Sequence, residues 1–262
     1  MYFFAAVALL LGSALTTVSA TPVANAERPF STPSFIGLAN DPEAHKFQPV
    51  LDFDNDGCYY TSAIDSGGST NPGLNYAQGV PPNCLRATCR DANRLQNSNV
   101  YSRSRCNNGW CAIMYEYYFE KDQVVCGSWG AGHRHDWEHI IVFTQGETVR
   151  RVAPSCHNGY GGATNSPRLQ GQRAKVVYHK DGGQTHCFRM ANAADDSIEN
   201  YTGQWFLGSL IGWTGWPSTW LRDTAMNANF GAASPKLRGD RFGSALNSAA
   251  GGQTGSFNPW SD

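Results

Sequence analysis

Beyond its first twenty residues this 262-residue chain contains no run approaching the roughly 20 apolar residues that a membrane-spanning helix takes. Charge of either sign is not in excess. Twenty basic and 21 acidic side chains leave a net charge of −1, which provides no electrostatic footprint for nucleic acid and no bulk attraction to an anionic bilayer. The chain has no C-x2-C pair, so its cysteines do not read as a zinc site. Neither G-x-S-x-G nor H-E-x-x-H occurs, and no serine nucleophile or zinc-bound water is nominated by motif. No internal repeat or linker-like stretch is visible, since glycine and proline are spread along the chain.

At the start, Phe3 to Leu11 form an apolar run and Val18-Ser19-Ala20 supply the small residues of a signal-peptidase site. Residues 1–20 therefore read as a secretory signal peptide with no Lys or Arg in its n-region, and a second cleavage point follows Ala24-Asn25-Ala26. Residues 21–46 read as a lead segment and 47–262 as one domain, secreted and soluble. Eight cysteines behind such a leader imply disulfides, because the secretory route is oxidising. Composition leaves their pairing open; Cys84/Cys89 and Cys106/Cys111 are close enough to staple local loops.

Further along, Asp52, Asp54, Asp56 and Gly57 copy the opening of a calcium loop, but Ala63 stands where an EF-hand needs a bidentate Glu. A strand-ending acidic turn is the better account, with a second cation site as its alternative. Arg86, Arg90 and Arg94 repeat at i,i+4 and predict a short helix with a solvated basic face. Trp110 to Phe119 is rich in strand formers and is expected to end at a Glu120-Lys121-Asp122 turn. Two β-rich runs, 174–179 and 185–190, flank Asp181-Gly182-Gly183 and predict a hairpin. With no nucleophile nominated, His179, Asp181 and His186 read as structural polar groups of that hairpin. Trp205, Trp213, Trp216 and Trp220 are interleaved with glycines. Core packing is the ordinary fate of any one of them, but Trp213 and Trp216 lie where a loop could present them to a sugar face or a bilayer. Asn200-Tyr201-Thr202 is a glycosylation sequon.

Polar chemistry is densest at Gly132-His133-Arg134-His135-Asp136-Trp137-Glu138-His139, just before Ile140-Ile141-Val142-Phe143. As a helix this segment would bring His135 and His139 together at i,i+4 with Glu138 beside them, the arrangement of a zinc hydrolase. As a strand it puts Asp136 and Glu138 on one face and His135, Trp137 and His139 on the other. Preceding glycines, following β-branched and aromatic residues, and the want of an N-cap before an amphipathic repeat all favour the strand. With His133 at the entry turn, the strand offers two carboxylates and an imidazole to one cation.

The heptapeptide GHRHDWE, together with the run from Ala112 to Asp122, resembles the central signature of the necrosis- and ethylene-inducing-like proteins, secreted cytolysins of plant-associated microbes. The segment HKDGGQTH at 179–186 and the tail from Asn229 to Phe242 extend the resemblance over roughly residues 47–250. It implies a mainly β fold, an antiparallel β-sandwich with peripheral helices, in keeping with the many short strand signals. It also implies a divalent cation, calcium or magnesium, held by Asp122, His133, Asp136 and Glu138. Asp122 lies eleven residues before His133, with Cys126 between them, a longer connection than simple members have. The implied function is permeabilisation of the outer leaflet of a host plasma membrane after docking of a monomer on a plant sphingolipid headgroup, with Trp213 and Trp216 at the membrane or sugar. The rivals are the zinc hydrolase using His135, Glu138 and His139, and a non-toxic carbohydrate-binding homologue.

Overall fold

A computed structural model describes Met1 and residues 41–74, 89–122, 132–157, 159–182 and 185–262. The expected signal peptide, Cys84, Arg86 and Cys126 lie outside the described residues. Apart from Met1, everything described belongs to one compact unit, Ser31–Asp262.

The larger of two sheets contains β3 (Asn99–Asn107), β4 (Trp110–Asp122), β5 (His133–Gln145) and β6 (Thr148–Pro154) as an antiparallel run. Its β3–β4 turn is Asn108-Gly109, both at positive φ, the conformation an Asn-Gly hairpin selects. Short β2 (Tyr60–Thr61) adds to the far end of β4, and β10 (Ser209–Gly212) lies parallel on the outer edge of β3. The smaller sheet holds β1 (Val50–Phe53), β7 (Leu169–Gln170), β8 (Arg173–Asp181) and β9 (Thr185–Met190). Here β1 runs parallel to β8, while β8 and β9 form the expected antiparallel hairpin. The sandwich is thus mixed rather than wholly antiparallel, because β1 and β10 reach their sheets across long connections that impose no hairpin reversal.

Phe53, Tyr115, Tyr117, Phe119, Val142, Val176, Tyr178 and Phe188 fill the space between the sheets. The opposite face of the larger sheet, from Met114, Tyr118, Ile141 and Phe143, is covered by α3 (Thr219–Asn227) and α4 (Gly239–Ala250). Burial on both faces explains why Trp110 to Phe119 of β4 and Ile140 to Phe143 of β5 read as nearly continuous apolar runs. It also carries β4 through Glu120 to Asp122, where a turn was expected, since Lys121 and Asp122 still pair with Arg134 and His133. Among the described residues α1 (Pro42–Phe47) and α2 (Ala92–Gln96) are short helices.

Two local expectations are overturned. Arg90 precedes α2 and donates to the carbonyls of Asp54 (2.6 Å) and Gly57 (2.5 Å), while Arg94 is buried with its Nε 2.9 Å from Glu120 Oε2, so the described residues form no solvated basic face here. Cys89 pairs with Cys58 rather than its near neighbour; the other described bridges are Cys106–Cys111, as expected, and Cys156–Cys187. Arg94→Ala strands the Glu120 carboxylate in the interior, so an unfolding titration is expected to read a loss of about 3–5 kcal/mol.

Candidate functional site

Asp122, His133, Asp136 and Glu138 line one cavity of about 230 Å³, with His139, His186 and the segment from Ala232 to Lys236 around its wall. The strand that carries three of them runs from His133 to Gln145. Strict alternation would turn His133 to the face of His135 and Trp137, but His135 sits at φ +61, in the left-handed region that non-glycine residues seldom occupy. That break in the strand lets His133 reach the carboxylates, and its Nε2 lies 3.9 Å from Asp122 Oδ2. Two contacts hold the strained residue: Tyr118 Oη meets His135 Nδ1 at 2.7 Å, and His133 Nδ1 meets the His135 carbonyl at 2.7 Å.

Each carboxylate is oriented by a residue distant in sequence. Asp122 Oδ1 accepts from the backbone N–H of His186 (2.9 Å) and pairs with its Nδ1 (3.0 Å). Asp136 Oδ2 accepts from the Tyr178 hydroxyl at 3.1 Å, and its other oxygen accepts the Trp137 N–H at 2.9 Å. Glu138 Oε2 accepts from the Ser155 hydroxyl, which in turn accepts the His139 N–H at 2.8 Å. Burial, then the charge of Asp122, pushes Asp136 up to about 7; burial, then Asp136, pushes Glu138 well above the usual carboxylate range. His186 loses basicity to burial but regains more from its bonds to Asp122 and Asp56, ending at about 9. Sequence reasoning had set His186 aside as hairpin polarity, and Ser155 and Tyr178 carried no local signal at all; only the HKDGGQTH resemblance touched one of the three.

Three buried carboxylates and one imidazole nitrogen around a cavity open on one side fit a hard divalent cation better than zinc. Among the described residues, the tightest clusters of potential donors lie elsewhere, at Cys156/His157/Asp181/Cys187 and Glu43/Cys106/Cys111. Both are built on disulfide sulfurs, which offer no thiolate, so neither is a metal site. The zinc-hydrolase geometry does not form. His135 and His139 are four residues apart on a strand, about 13 Å along it, and His139 Nε2 is engaged by the Tyr160 hydroxyl at 2.6 Å.

Residues 41–249 match the family model described as Necrosis inducing protein (NPP1). The chain belongs to this necrosis-inducing protein family. It is similar to NLP effector protein 10 of Phytophthora capsici, 32% identical over 92% of this chain and 97% of that one. The necrosis-inducing protein NPP1 of Phytophthora nicotianae is 37% identical over 51% of this chain and 54% of its own. Among solved structures, NLPPya in complex with mannosamine superposes with a TM-score of 0.67 at 29% identity, covering 84% of this chain and 96% of the other. The non-toxic HaNLP3 protein superposes at 0.62 and 28% identity, covering 84% and 95%. Membership places the chain among toxin-like effectors.

The tryptophans of this family member are arranged otherwise than its sequence implies. Trp216 is 8% exposed and stacks on Tyr101 with centroids 5.3 Å apart, and so is core. Trp213 is partly buried between the guanidinium groups of Arg103 and Arg222, at 4.5 and 4.4 Å. Trp220, expected in the core, is 60% exposed, with its ring directly over Gly68. A helix start is the reason. The Ser218 side chain caps α3, and with Leu221 turned inward the adjacent position faces solvent. The loop beneath Trp220 continues to Gly73, which packs on His135 at the edge of the site.

The remaining sequence candidates fall outside the cavity. Asp181 pairs with His157 at 2.9 Å, and His179 Nε2 lies 3.7 Å from Cys187 Sγ. Asp52 is buried and accepts the Glu199 and Asn200 N–H groups, each at 3.0 Å, consistent with a strand-ending acidic turn. Asn200, the sequon residue, is buried with its side-chain amide donating to Asp52 and to the Gln204 carbonyl, both at 2.8 Å, so a glycan there would displace two hydrogen bonds.

Proposed function

We propose that the chain is a secreted phytotoxic cytolysin that docks as a monomer on a plant sphingolipid headgroup through a divalent cation, calcium or magnesium, and then permeabilises the outer leaflet of the host plasma membrane. The observation carrying this reading is the cavity itself: buried Asp122, Asp136 and Glu138 line it together with half-exposed His133, and the ionisation of Asp136 and Glu138 is opposed by burial. A bound cation would supply positive charge both to these carboxylates and to hydroxyl or anionic oxygens of a headgroup. His186, Tyr178 and Ser155 hold the carboxylates in place for that role. NLPPya has been solved in complex with mannosamine and with glucosamine, which supports a sugar headgroup as the ligand class. No covalent chemistry is needed. Trp220 takes over the apolar contact assigned to Trp213 and Trp216 from the sequence, because a nearly neutral protein holds a bilayer through apolar contacts rather than net charge.

Likeness to the non-toxic HaNLP3 means that fold alone does not decide toxicity, so the test is functional. Dye leakage from vesicles containing plant sphingolipid should require calcium, stop in excess chelator and return when calcium is restored. Undiminished leakage in chelator rejects the cation reading. Carbohydrate binding without leakage favours the non-toxic homologue.

The pH dependence has a definite sign. Burial raises the folded pKa of Asp136 and Glu138 above an unfolded value near about 4. Their stabilisation of the metal-free protein is therefore full below that value and is lost as pH rises through about 7, the folded value of Asp136. Calcium relieves that loss. The calcium-induced rise in Tm should consequently be larger near about pH 7.5 than near about pH 5, as read by differential scanning fluorimetry.

A further inference from the structure

The residues that orient two of the three carboxylates are each followed directly by a half-cystine. Ser155, which donates to Glu138, precedes Cys156; His186, which holds Asp122 through both its backbone N–H and its imidazole, precedes Cys187. These cysteines form a disulfide with Cα atoms 4.7 Å apart. A backbone hydrogen bond from Phe188 N–H to the Ser155 carbonyl, 3.0 Å, runs beside it. The bridge also joins the two layers of the sandwich. Ser155 and Cys156 leave β6 of the larger sheet, whereas His186 and Cys187 belong to β9, whose partner β8 is in the smaller sheet. Among the described residues β9 shares no ladder with β5 or β6, so at this end that one backbone hydrogen bond and the bridge tie the strand to the end of β6.

We propose that the Cys156–Cys187 disulfide is a positioning element of the carboxylate cavity: it holds Ser155 and His186 in register and thereby sets the placement of Glu138 and Asp122 for a divalent cation. The inference rests on the cation reading above. Its physical basis is that carboxylates in a cation site must keep their oxygens within a few tenths of an ångström of the ligating position, and outer groups that orient them tune affinity by about 10- to 100-fold. Cys187 is fully buried and Cys156 half-buried, so the bridge is shielded and acts through geometry. The Cys106–Cys111 bridge, which closes the β3–β4 hairpin at the opposite end of β4, provides an internal control.

The experiment measures calcium affinity by titration calorimetry, with circular dichroism to verify the fold, in the parent, in Cys156→Ala/Cys187→Ala and in Cys106→Ala/Cys111→Ala. The expected result is at least a tenfold weaker calcium affinity when the first bridge is removed, while removal of the hairpin bridge lowers Tm and leaves affinity within twofold. Ser155→Ala should reproduce, with the bridge intact, the part of the loss that runs through Glu138. Adding it to the cysteine pair should weaken binding little further, because the Ser155–Glu138 contact is already displaced when the bridge is gone. Should the buried alanine at 187 prevent folding, Cys156→Ala/Cys187→Val restores apolar volume and is read the same way. Parent affinity in a folded variant without the Cys156–Cys187 bridge overturns the proposal, as does failure of both such variants to fold when the hairpin variant folds, which would make the bridge a structural staple. A parent protein that binds no calcium instead rejects the cation reading itself, and is distinguishable from either outcome.

Discussion

Asp136→Asn combined with Glu138→Gln is expected to abolish calcium-dependent leakage and leaf necrosis while leaving the metal-free protein at least as heat-stable as its parent. The two carboxyls are buried and their ionisation is disfavoured, first by desolvation and then by neighbouring carboxylates. Neutral amides of nearly the same shape remove that cost. The amide oxygen introduced at position 138 can still accept from Ser155, and the amide at 136 can accept the Trp137 N–H through its oxygen while its NH2 donates to the Tyr178 hydroxyl, whose own bond to Asp136 is given up. The same change removes two of the three charges that would face a cation. A site-specific ligand at a hundred times its Kd adds about 2.7 kcal/mol to stability, equivalent to roughly 5–10 °C in the Tm of a domain this size. That calcium-induced shift should vanish in the double variant. Loss of activity together with loss of fold would point to a structural role, and unchanged leakage from a folded variant would remove the site from the mechanism.

Trp216→Ala and Trp220→Ala should separate cleanly, one costing stability and the other function. Trp216 is buried, stacked on Tyr101, which itself neighbours Trp137 at 5.7 Å. Truncation opens a cavity under α3 and is expected to cost about 3–5 kcal/mol, lowering Tm by about 10 °C or more. Trp220 is exposed, and its ring contacts Gly68 on the loop that runs on to the edge of the cavity. Its removal forfeits little native packing, so Tm should move by only about a degree or two, within the range of about 0.5 kcal/mol for surface substitutions. Leakage from sphingolipid vesicles should nonetheless fall at least tenfold, since an interfacial indole is among the strongest single contacts a protein makes with a bilayer surface. If Trp220→Ala leaks like the parent, the apolar contact lies elsewhere on the surface. Trp260, also exposed, is the next residue to test.

Much of the architecture was legible because it is written in short-range patterns. Val, Ile, Tyr and Phe runs ending in turn residues located β4, β5 and the β8–β9 hairpin, and the glycines before His133 and the β-branched and aromatic residues after His139 favoured a strand-borne donor set over a helical zinc site. Those signals depend on neighbours within a few residues, and the backbone must satisfy them wherever the segment ends up. The length of β4 was misjudged at Glu120-Lys121-Asp122 for a related reason. Charged residues look like a turn in isolation, but pairing with β5 keeps them in the ladder.

What the sequence alone determined, then, was the class of fold and the family resemblance, and through that resemblance it nominated four residues, Asp122, His133, Asp136 and Glu138, for a cation site. The tertiary structure decided which groups those four would meet: His186 lies 64 residues from Asp122, Tyr178 42 from Asp136 and Ser155 17 from Glu138. It also decided that Arg94 is buried against Glu120, that Cys89 pairs with Cys58, and that Trp220 rather than Trp216 faces solvent. Burial, charge pairing and exposure are properties of the environment that other segments bring to a residue. Local pattern carries part of the exposure, as the Ser218 cap does for Trp220, but the identity of a buried or paired group's partner is set only when the two sheets and the helices have packed together.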